Sequence, residues 1–351
     1  MSRVISLALP LLVGSILAPA FVSAAPKATP DVPALPAPDV KLKVEPREPG
    51  KPWRVEVQNT GTVALTLVAD ERLLRLSIEP PQPSAPTTAP KTTKPTKAQK
   101  PPTPTECALP ASMRTASRTL TLPPGGRWTA DLDPRLLCLD RVDKLVTGAT
   151  VRARLGWTPP QKGALAPPFV VGPANGGEVA SAKEIAAPPV TLDAAASATT
   201  PPSAPIVAMG GAARSVATGN EADVTVVVKN ASAVAHTIYA RPQLVDARVV
   251  TPRGVSVTCG GTILQPAPLL DFATRLTPNA TWSATVPLSN LCPQGTFDVP
   301  GLYLVTPVVH LPAIPKLEGE WSGDAIAEKP QLLRIELGTK PFHDAPAVVT
   351  K

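Results

Sequence analysis

The stretch Leu122-Pro-Pro-Gly-Gly-Arg-Trp-Thr-Ala-Asp-Leu132 recurs as Leu276-Thr-Pro-Asn-Ala-Thr-Trp-Ser-Ala-Thr-Val286, at an offset of 154. A cysteine follows each tryptophan at the same spacing, as Cys138 and Cys292. A match of this length that also keeps its following cysteine indicates an internal repeat. The fold must therefore be one that the chain can build twice.

The repeat extends upstream of these stretches. Trp53–Asn59 matches Val224–Asn230 at an offset of 171, and Cys107 matches Cys259 at an offset of 152. The fall of 19 in the offset predicts an insertion of that size in the first copy. Two copies of one domain account for the 351 residues.

Alternating hydrophobicity indicates that each copy consists of antiparallel strands. Val224, Val226 and Val228 occupy every second position of one predicted strand. Val55 and Val57 follow the same alternation in the first copy. A period of two, interrupted by Gly, Pro and Asn turns, is typical of half-buried strands. The sequence therefore predicts an all-β protein made of two tandem antiparallel β-sandwiches.

The composition agrees with strands rather than helices. Proline makes up 47 of the 351 residues, and a proline inside a helix costs about 3 kcal/mol. Hydrophobic residues make up 43% of the chain, which excludes a wholly disordered protein.

The four cysteines allow three pairings, and the repeat selects one of them. Each copy has one early and one late cysteine, which predicts the disulfides Cys107–Cys138 and Cys259–Cys292. Each would stabilise the fold by about 3.5–4 kcal/mol on the loop-entropy model. No cysteine has the CxxC spacing of a metal or redox site.

The segment 1–24 is predicted to be a secretory signal peptide. Arg3 precedes an apolar stretch, 4–17, and Val22-Ser-Ala24 supplies the small residues of a cleavage site before Ala25. No later segment is apolar enough to span a bilayer, so a secreted or periplasmic location is expected. The predicted parts are a signal peptide, a Pro-rich linker, a first domain, a second linker, a second domain and a tail, with bounds 1–24, 25–39, 40–195, 196–204, 205–342 and 343–351.

The insertion, residues 81–105, contains eight prolines, seven threonines and four lysines, and no acidic residue. Without Arg3 and these lysines, basic and acidic residues nearly balance, so the formal charge of +7 is largely local. Such a segment is expected to be disordered or to form polyproline II, which has three residues per turn. The lysines would then form one positive stripe that contacts a polyanion, or simply keep the insertion soluble; they are Lys91, Lys94, Lys97 and Lys100.

Residues typical of catalytic chemistry are sparse. His236, His310 and His343 stand in no HExxH motif and beside no cysteine, and there is no GxSxG, P-loop or GxGxxG motif. His236 and His310 are interpreted as ordinary side chains of the sandwiches, and His343 falls in the predicted tail. No cofactor, metal or catalytic residue is predicted, and the lack of basic patches interleaved with aromatics argues against sequence-specific nucleic-acid binding.

Two other clusters have a structural and a functional interpretation. The carboxylates of Asp131, Asp133, Asp140 and Asp143 are interpreted as a solvated loop rather than a calcium site, because the second copy lacks them. Trp128 and Trp282 occupy matched positions on equivalent strands. They are interpreted as core anchors rather than as ligand-stacking residues.

Several turns resemble those of known families. The alternating valines ending in Asn-Thr-Gly61, followed by a Leu-x-Pro-Gly turn into a Trp-bearing strand, resemble bacterial extracellular immunoglobulin-like modules such as cell-adhesion-related repeats. Leu122–Gly126 and Val299-Pro-Gly-Leu-Tyr303 are also similar to turns of the intracellular proteinase inhibitor family. The resemblance implies immunoglobulin-like sandwiches, each with one disulfide. The inhibitor function is not transferred, because export and disulfides do not fit an intracellular inhibitor.

Two classes of function remain. The first is a non-catalytic binding or structural protein of the bacterial cell envelope or extracellular matrix, whose partner is a protein or an envelope polymer. The alternative is a secreted modulator of another protein, such as an inhibitor, a chaperone or an accessory subunit.

Overall fold

The computed structural model describes residues 35–47, 51–81, 103–113, 119–156, 171–174, 179–193, 204–261, 270–313, 319–339 and 348–350. The described residues form an all-β structure of antiparallel sheets, with one parallel strand pair and three isolated bridges. Its helical segments are short: α1 (Pro134–Leu137) and the 3-10 turns Glu71–Leu73, Ala111–Met113, Leu139–Lys144, Gly219–Glu221, Pro242–Leu244, Leu270–Phe272 and Leu288–Asn290. No helix in the described part of the chain has the length and apolarity that crossing a bilayer requires.

Residues 35–193 are called the first half and residues 204–339 the second half. The first half contains β1 (Val40–Glu45), β2 (Trp53–Asn59), β3 (Leu65–Val68), β4 (Leu74–Glu79), β5 (Thr105–Cys107), β6 (Thr119–Leu122), β7 (Arg127–Leu132), β8 (Thr150–Gly156), β9 (Gly172–Pro173), β10 (Glu184–Ala186) and β11 (Val190–Thr191).

The second half contains β12 (Ile206–Gly210), β13 (Arg214–Val216), β14 (Asp223–Asn230), β15 (His236–Tyr239), β16 (Val245–Val250), β17 (Ser256–Cys259), β18 (Ala273–Leu276), β19 (Thr281–Pro287), β20 (Gly301–Leu311), β21 (Gly323–Ile326) and β22 (Gln331–Ile335). The last described strand, β23 (Val348–Thr350), falls in the segment that the sequence analysis treats as a tail.

The strand pairing repeats from one half to the other. The order β1-β2-β7 corresponds to β12-β14-β19, β3-β6 corresponds to β15-β18, and β5-β4-β8 corresponds to β17-β16-β20. The beginning and the end of β8 pair with β11 and β10, as those of β20 pair with β22 and β21. The sequence repeat is therefore a repeat of topology.

The predicted alternation is confirmed by burial. Val55 and Val57 in β2 are fully buried, as are Val224, Val226 and Val228 in β14. Each half has its own apolar core between its sheets. The residues of opposite parity face outwards or are partly exposed.

The two matched tryptophans differ in burial. Trp128 in β7 is 2% exposed and belongs to the first core, as predicted. Trp282 in β19 is only partly buried and lies against the second core. This difference in burial parallels a difference in strand pairing. Within the described residues, β7 is paired on both sides and β19 on one side.

A buried asparagine ends the first long strand of each half. Asn59 and Asn230 are both fully buried. The Asn230 amide Nδ2 donates to the carbonyl oxygens of Val234 and Leu276, at 2.7 and 2.9 Å, and its Oδ1 accepts from the Ser232 N–H at 3.0 Å. Asn59 makes the same three contacts in the first half, with Val63, Leu122 and Gly61.

The same asparagines shape the turn that enters the tryptophan strand. The Asn59 carbonyl accepts from the Gly125 N–H at 2.9 Å, and the Asn230 carbonyl accepts from the Asn279 N–H at 2.9 Å. Gly125 and Asn279 occupy equivalent positions and both have left-handed backbone, with φ of 74° and 67°. This conformation suits glycine and, next best, asparagine, which explains the residue types at this turn.

The two halves are also joined to each other. Arg334 of β22 is 7% exposed, and its Nη1 donates to the Leu136 carbonyl of α1 at 3.2 Å. Glu336 accepts from Ser112 Oγ of the first half at 2.8 Å and from Ser215 Oγ of the second half at 2.9 Å. Leu302 of β20 lies in the first core, so residues of both halves belong to one compact unit, Leu35–Lys351.

Replacing Asn230 by Ala should lower the free energy of unfolding by about 2–3 kcal/mol, because buried backbone groups lose their partners. The measurement is urea unfolding. Asn220, which is exposed, is the control, and Asn220→Ala should change stability by about 0.5 kcal/mol or less. An equal effect of both substitutions would show that the buried asparagine does not organise the turn.

Candidate functional site

The predicted insertion forms the connection of the β4–β5 hairpin. Leu76 of β4 pairs with Cys107 of β5, and Ile78 pairs with Thr105. Thr105, the last residue of the predicted insertion, therefore begins β5. The strands on both sides of the insertion are hydrogen-bonded to each other, so its two ends leave the sheet side by side.

The second half closes the equivalent hairpin, β16–β17, with a short turn. Ala247 pairs with Cys259, as Leu76 pairs with Cys107, and only the segment 251–255 connects the strands. In the first half the corresponding segment is 80–103. By the register of the two hairpins, the first connection is therefore 19 residues longer than the second.

The hydrogen bonds of the 251–255 turn show which contacts close this hairpin. The Thr251 N–H donates to the Val255 carbonyl at 2.9 Å, and the Gly254 N–H donates to the Thr251 carbonyl at 2.8 Å. Both lie inside the turn. The rest of the hairpin is held by strand pairing, so the connection can be lengthened without the loss of a contact elsewhere.

A disulfide fixes the strand on which the insertion ends. Cys107 at the end of β5 is bonded to Cys138, directly after α1, and the Cα atoms are 4.8 Å apart. Both cysteines are buried. The second disulfide, Cys259–Cys292, has the same position in the second half, with Cα atoms 4.2 Å apart. Both predicted disulfides are thus present.

A cavity of about 340 Å³ lies at the root of the insertion. Both ends of the insertion contribute to its wall, together with the 3-10 turn Leu139–Lys144 and the residues that follow it. The lining residues are Ile78, Pro80, Pro81, Thr103, Thr105, Asp143, Lys144 and Val146. Half of the lining residues are apolar and half are polar or charged, and Val146 is 44% exposed at the surface beside the cavity.

Charges close to this root are paired. Arg152 Nε donates to Glu79 Oε1 at 2.8 Å, and Lys144 Nζ lies 2.9 Å from Asp143 Oδ2. The hydrogen bond from Lys144 holds the pKa of the Asp143 carboxyl below its ordinary value. Lys91, Lys94, Lys97 and Lys100 lie outside the described residues.

The structure assembles one group of ionisable residues that the sequence analysis did not connect. His310 of β20 lies between two carboxylates on neighbouring strands, with Nδ1 2.7 Å from Asp324 Oδ1 and Nε2 3.0 Å from Asp246 Oδ2. Burial lowers the pKa of His310, but the hydrogen bonds and the attraction of both carboxylates outweigh it, so the pKa is raised. The sequence analysis missed this group because Asp246 lies 64 residues from His310 in the sequence.

The other two histidines do not join this group. His236 of β15 is partly buried, and neither ring nitrogen has a hydrogen-bond partner in the structure. His343 lies outside the described residues.

The four carboxylates that the sequence analysis grouped do not converge. Asp133 caps α1 and pairs with Arg135 at 2.6 Å, whereas Asp131 lies 3.4 Å from Arg47. Asp143 pairs with Lys144, as described above. In the described part of the chain, no three His, Cys, Asp or Glu side chains are placed to hold a metal ion.

Comparison with known proteins finds little. No family model and no curated protein matches the chain. Among solved structures, Escherichia coli alpha-2-macroglobulin activated by porcine elastase is 11% identical with a TM-score of 0.21, over 85% of this chain and 22% of that one. Red sea bream transglutaminase is 10% identical with a TM-score of 0.19, over 84% of this chain and 31% of that one. The chain thus spans a third or less of their length, and TM-scores this low support no inference about it.

The first hairpin should accept the short turn of the second. Replacing the segment 80–103 by the sequence Thr-Pro-Arg-Gly-Val of 251–255 gives both connections the same length. Because loop length enters stability only logarithmically, the free energy of unfolding should rise by no more than about 1.4 kcal/mol. The reciprocal exchange, with 80–103 placed between β16 and β17, is the control and should lower it by a similar amount. A loss of several kcal/mol in the first exchange would show that the insertion packs on the scaffold.

The His310 group should make stability depend on pH. The folded-state pKa of His310 is raised, so its contribution is complete below the unfolded value of about 6.5 and is lost as the pH rises through the folded value. Urea unfolding of the wild type and His310→Gln should therefore differ more at about pH 5.5 than at about pH 8.5. In an Asp324→Asn background this pH dependence should shrink. A difference that is constant with pH would contradict the assignment.

Proposed function

We propose that this protein is a secreted, non-catalytic binding protein of the bacterial cell envelope or extracellular matrix that contacts polyanions through its insertion. The observation that carries the proposal is the difference between the two equivalent hairpins. One closes in five residues, and the other carries an extra segment with four lysines and no acid. A scaffold that needs only a short turn at this place has no structural use for the segment.

The scaffold is proposed to be a tandem pair of immunoglobulin-like domains, residues 40–195 and 205–342. The repeated strand pairing and the equivalent disulfides support this proposal. The two disulfides also support export through the predicted signal peptide, because disulfides persist in oxidising compartments.

The spacing of the lysines suits a linear polyanion. In polyproline II, residues three apart lie on one side, so Lys91, Lys94, Lys97 and Lys100 would repeat about every 9 Å along one line. An acidic polysaccharide, a nucleic-acid backbone and a lipid surface all present anionic groups in rows or arrays. The disulfide at Cys107 fixes the strand on which the insertion ends.

Substitution of the four lysines by Gln tests this function. The wild-type chain should bind a polyuronate, double-stranded DNA or vesicles containing phosphatidylglycerol in a salt-sensitive manner. Four phosphate contacts would give a slope of about −3.6 in log K against log salt on duplex DNA. The substituted chain should lose most of this slope while its melting temperature stays unchanged. Comparison of the three probes identifies the source of the anionic groups.

A matched control separates the stripe from net charge. Four exposed lysines scattered over the described surface are replaced by Gln, which changes the charge by the same amount; they are Lys41, Lys51, Lys183 and Lys329. Binding should persist in this variant. If both variants lose binding equally, the interaction depends on net charge and not on the stripe. A wild type that binds none of the probes would refute the proposal.

A further inference from the structure

The outer edges of the two equivalent strands β7 and β19 have different neighbours. In the first half, β23 (Val348–Thr350) pairs antiparallel with the outer edge of β7, with Val349 opposite Trp128. In the second half, β19 pairs with β14 on one side, and no strand within the described residues lies on its other side. The equivalent position thus receives a strand in one half and is open in the other.

The open edge has none of the charges that normally protect an edge strand. β19 reads Thr-Trp-Ser-Ala-Thr-Val-Pro, whereas the covered β7 carries Arg127 and Asp131. Charged side chains on an edge discourage pairing with another chain, and their absence favours it. Of the usual devices, β19 has only Pro287, at its last position.

The outward face of the sheet shows the same contrast. The face of β1, β2 and β7 is charged at seven of nine positions: Lys41, Lys43, Glu45, Arg54, Glu56, Gln58, Arg127, Thr129 and Asp131. The face of β12, β14 and β19 is charged at two of ten, once with each sign: Val207, Met209, Asp223, Thr225, Val227, Lys229, Thr281, Ser283, Thr285 and Pro287. The second sheet therefore presents a nearly neutral surface next to its open edge.

The other edge of this sheet is not free. Ala208 of β12 forms a parallel bridge with Ala327, directly after β21. Among the described residues, β19 is the edge of this sheet that has no neighbouring strand. The burial of the two tryptophans also indicates that the edge of β19 is uncovered. Trp282 of β19 is only partly buried, whereas its counterpart Trp128, which belongs to a strand paired on both sides, is 2% exposed.

We propose that β19 of a second copy of this chain pairs with this edge, antiparallel and about a two-fold axis. An antiparallel pair of identical strands is self-complementary, and an uncharged extended strand is what each copy offers. With the axis at Ala284, Trp282 of each copy lies opposite Val286 of its partner, so core-side residues meet core-side residues. Ser283 then lies opposite Thr285 of the partner on the outward face, and the two sheets join into one of six strands.

The test is the oligomeric state of the full chain, measured by sedimentation equilibrium from low to high micromolar concentration. The wild type should form dimers. Ser283→Lys with Thr285→Lys places like charges opposite each other across the axis and should weaken association at least about tenfold. Mixing this variant with Ser283→Glu/Thr285→Glu should restore dimers, since opposite charges then face each other.

Two controls keep the test decisive. Val207→Lys with Met209→Lys adds the same charge to the same face, but on β12 instead of the open edge, and should leave the dimer intact. Hydrogen exchange of the wild type, which needs no variant, should show that β19 amides become protected as the concentration rises. A monomeric wild type, a dimer that the Lys pair does not weaken, or a monomer whose edge binds only a foreign extended peptide would each overturn the proposal.

Discussion

The structure depends on one buried interaction that the chain makes twice. In each half, an asparagine at the end of the first long strand uses its side chain to satisfy backbone groups of two other segments. Asn59 thereby ties β2 to the end of β6 and to the turn before β3, and its own backbone bonds the turn into β7. Buried backbone groups must find partners, and a single amide supplies several here. The strands that enclose the core leave this point in defined directions.

The insertion lies where the scaffold can tolerate it. The β4–β5 hairpin is held by strand pairing and by the disulfide at Cys107, so its connection contributes little to the fold. An added segment at this turn leaves the core, the buried asparagine and the contacts between the halves unchanged. The same disulfide fixes the strand on which the insertion ends, as its counterpart Cys259–Cys292 fixes β17 beside the short turn of the second half.

The two halves share a framework and differ on their surfaces. Inward-facing positions keep similar apolar residues, because both cores must be filled by side chains of similar volume. Outward-facing positions are free of this constraint. There the first half has a charged face and a covered edge, whereas the second has a nearly neutral face and an open one. The contact through Arg334 and Glu336 exists only once, since each half meets the other with a different surface.

Local pattern and internal repetition were enough to predict the alternating strands, the all-β class and the two disulfides. These features repeat along the chain or follow from the period of two, so they can be found without knowing which strands are neighbours. The group of Asp246, His310 and Asp324, the bond from Arg334 to the Leu136 carbonyl, and the pairing of β23 with β7 could not be found in this way. Each joins residues that are distant in sequence and occur in one copy only, so neither periodicity nor repetition marks them. They exist because folding places particular strands side by side and leaves particular edges at the surface.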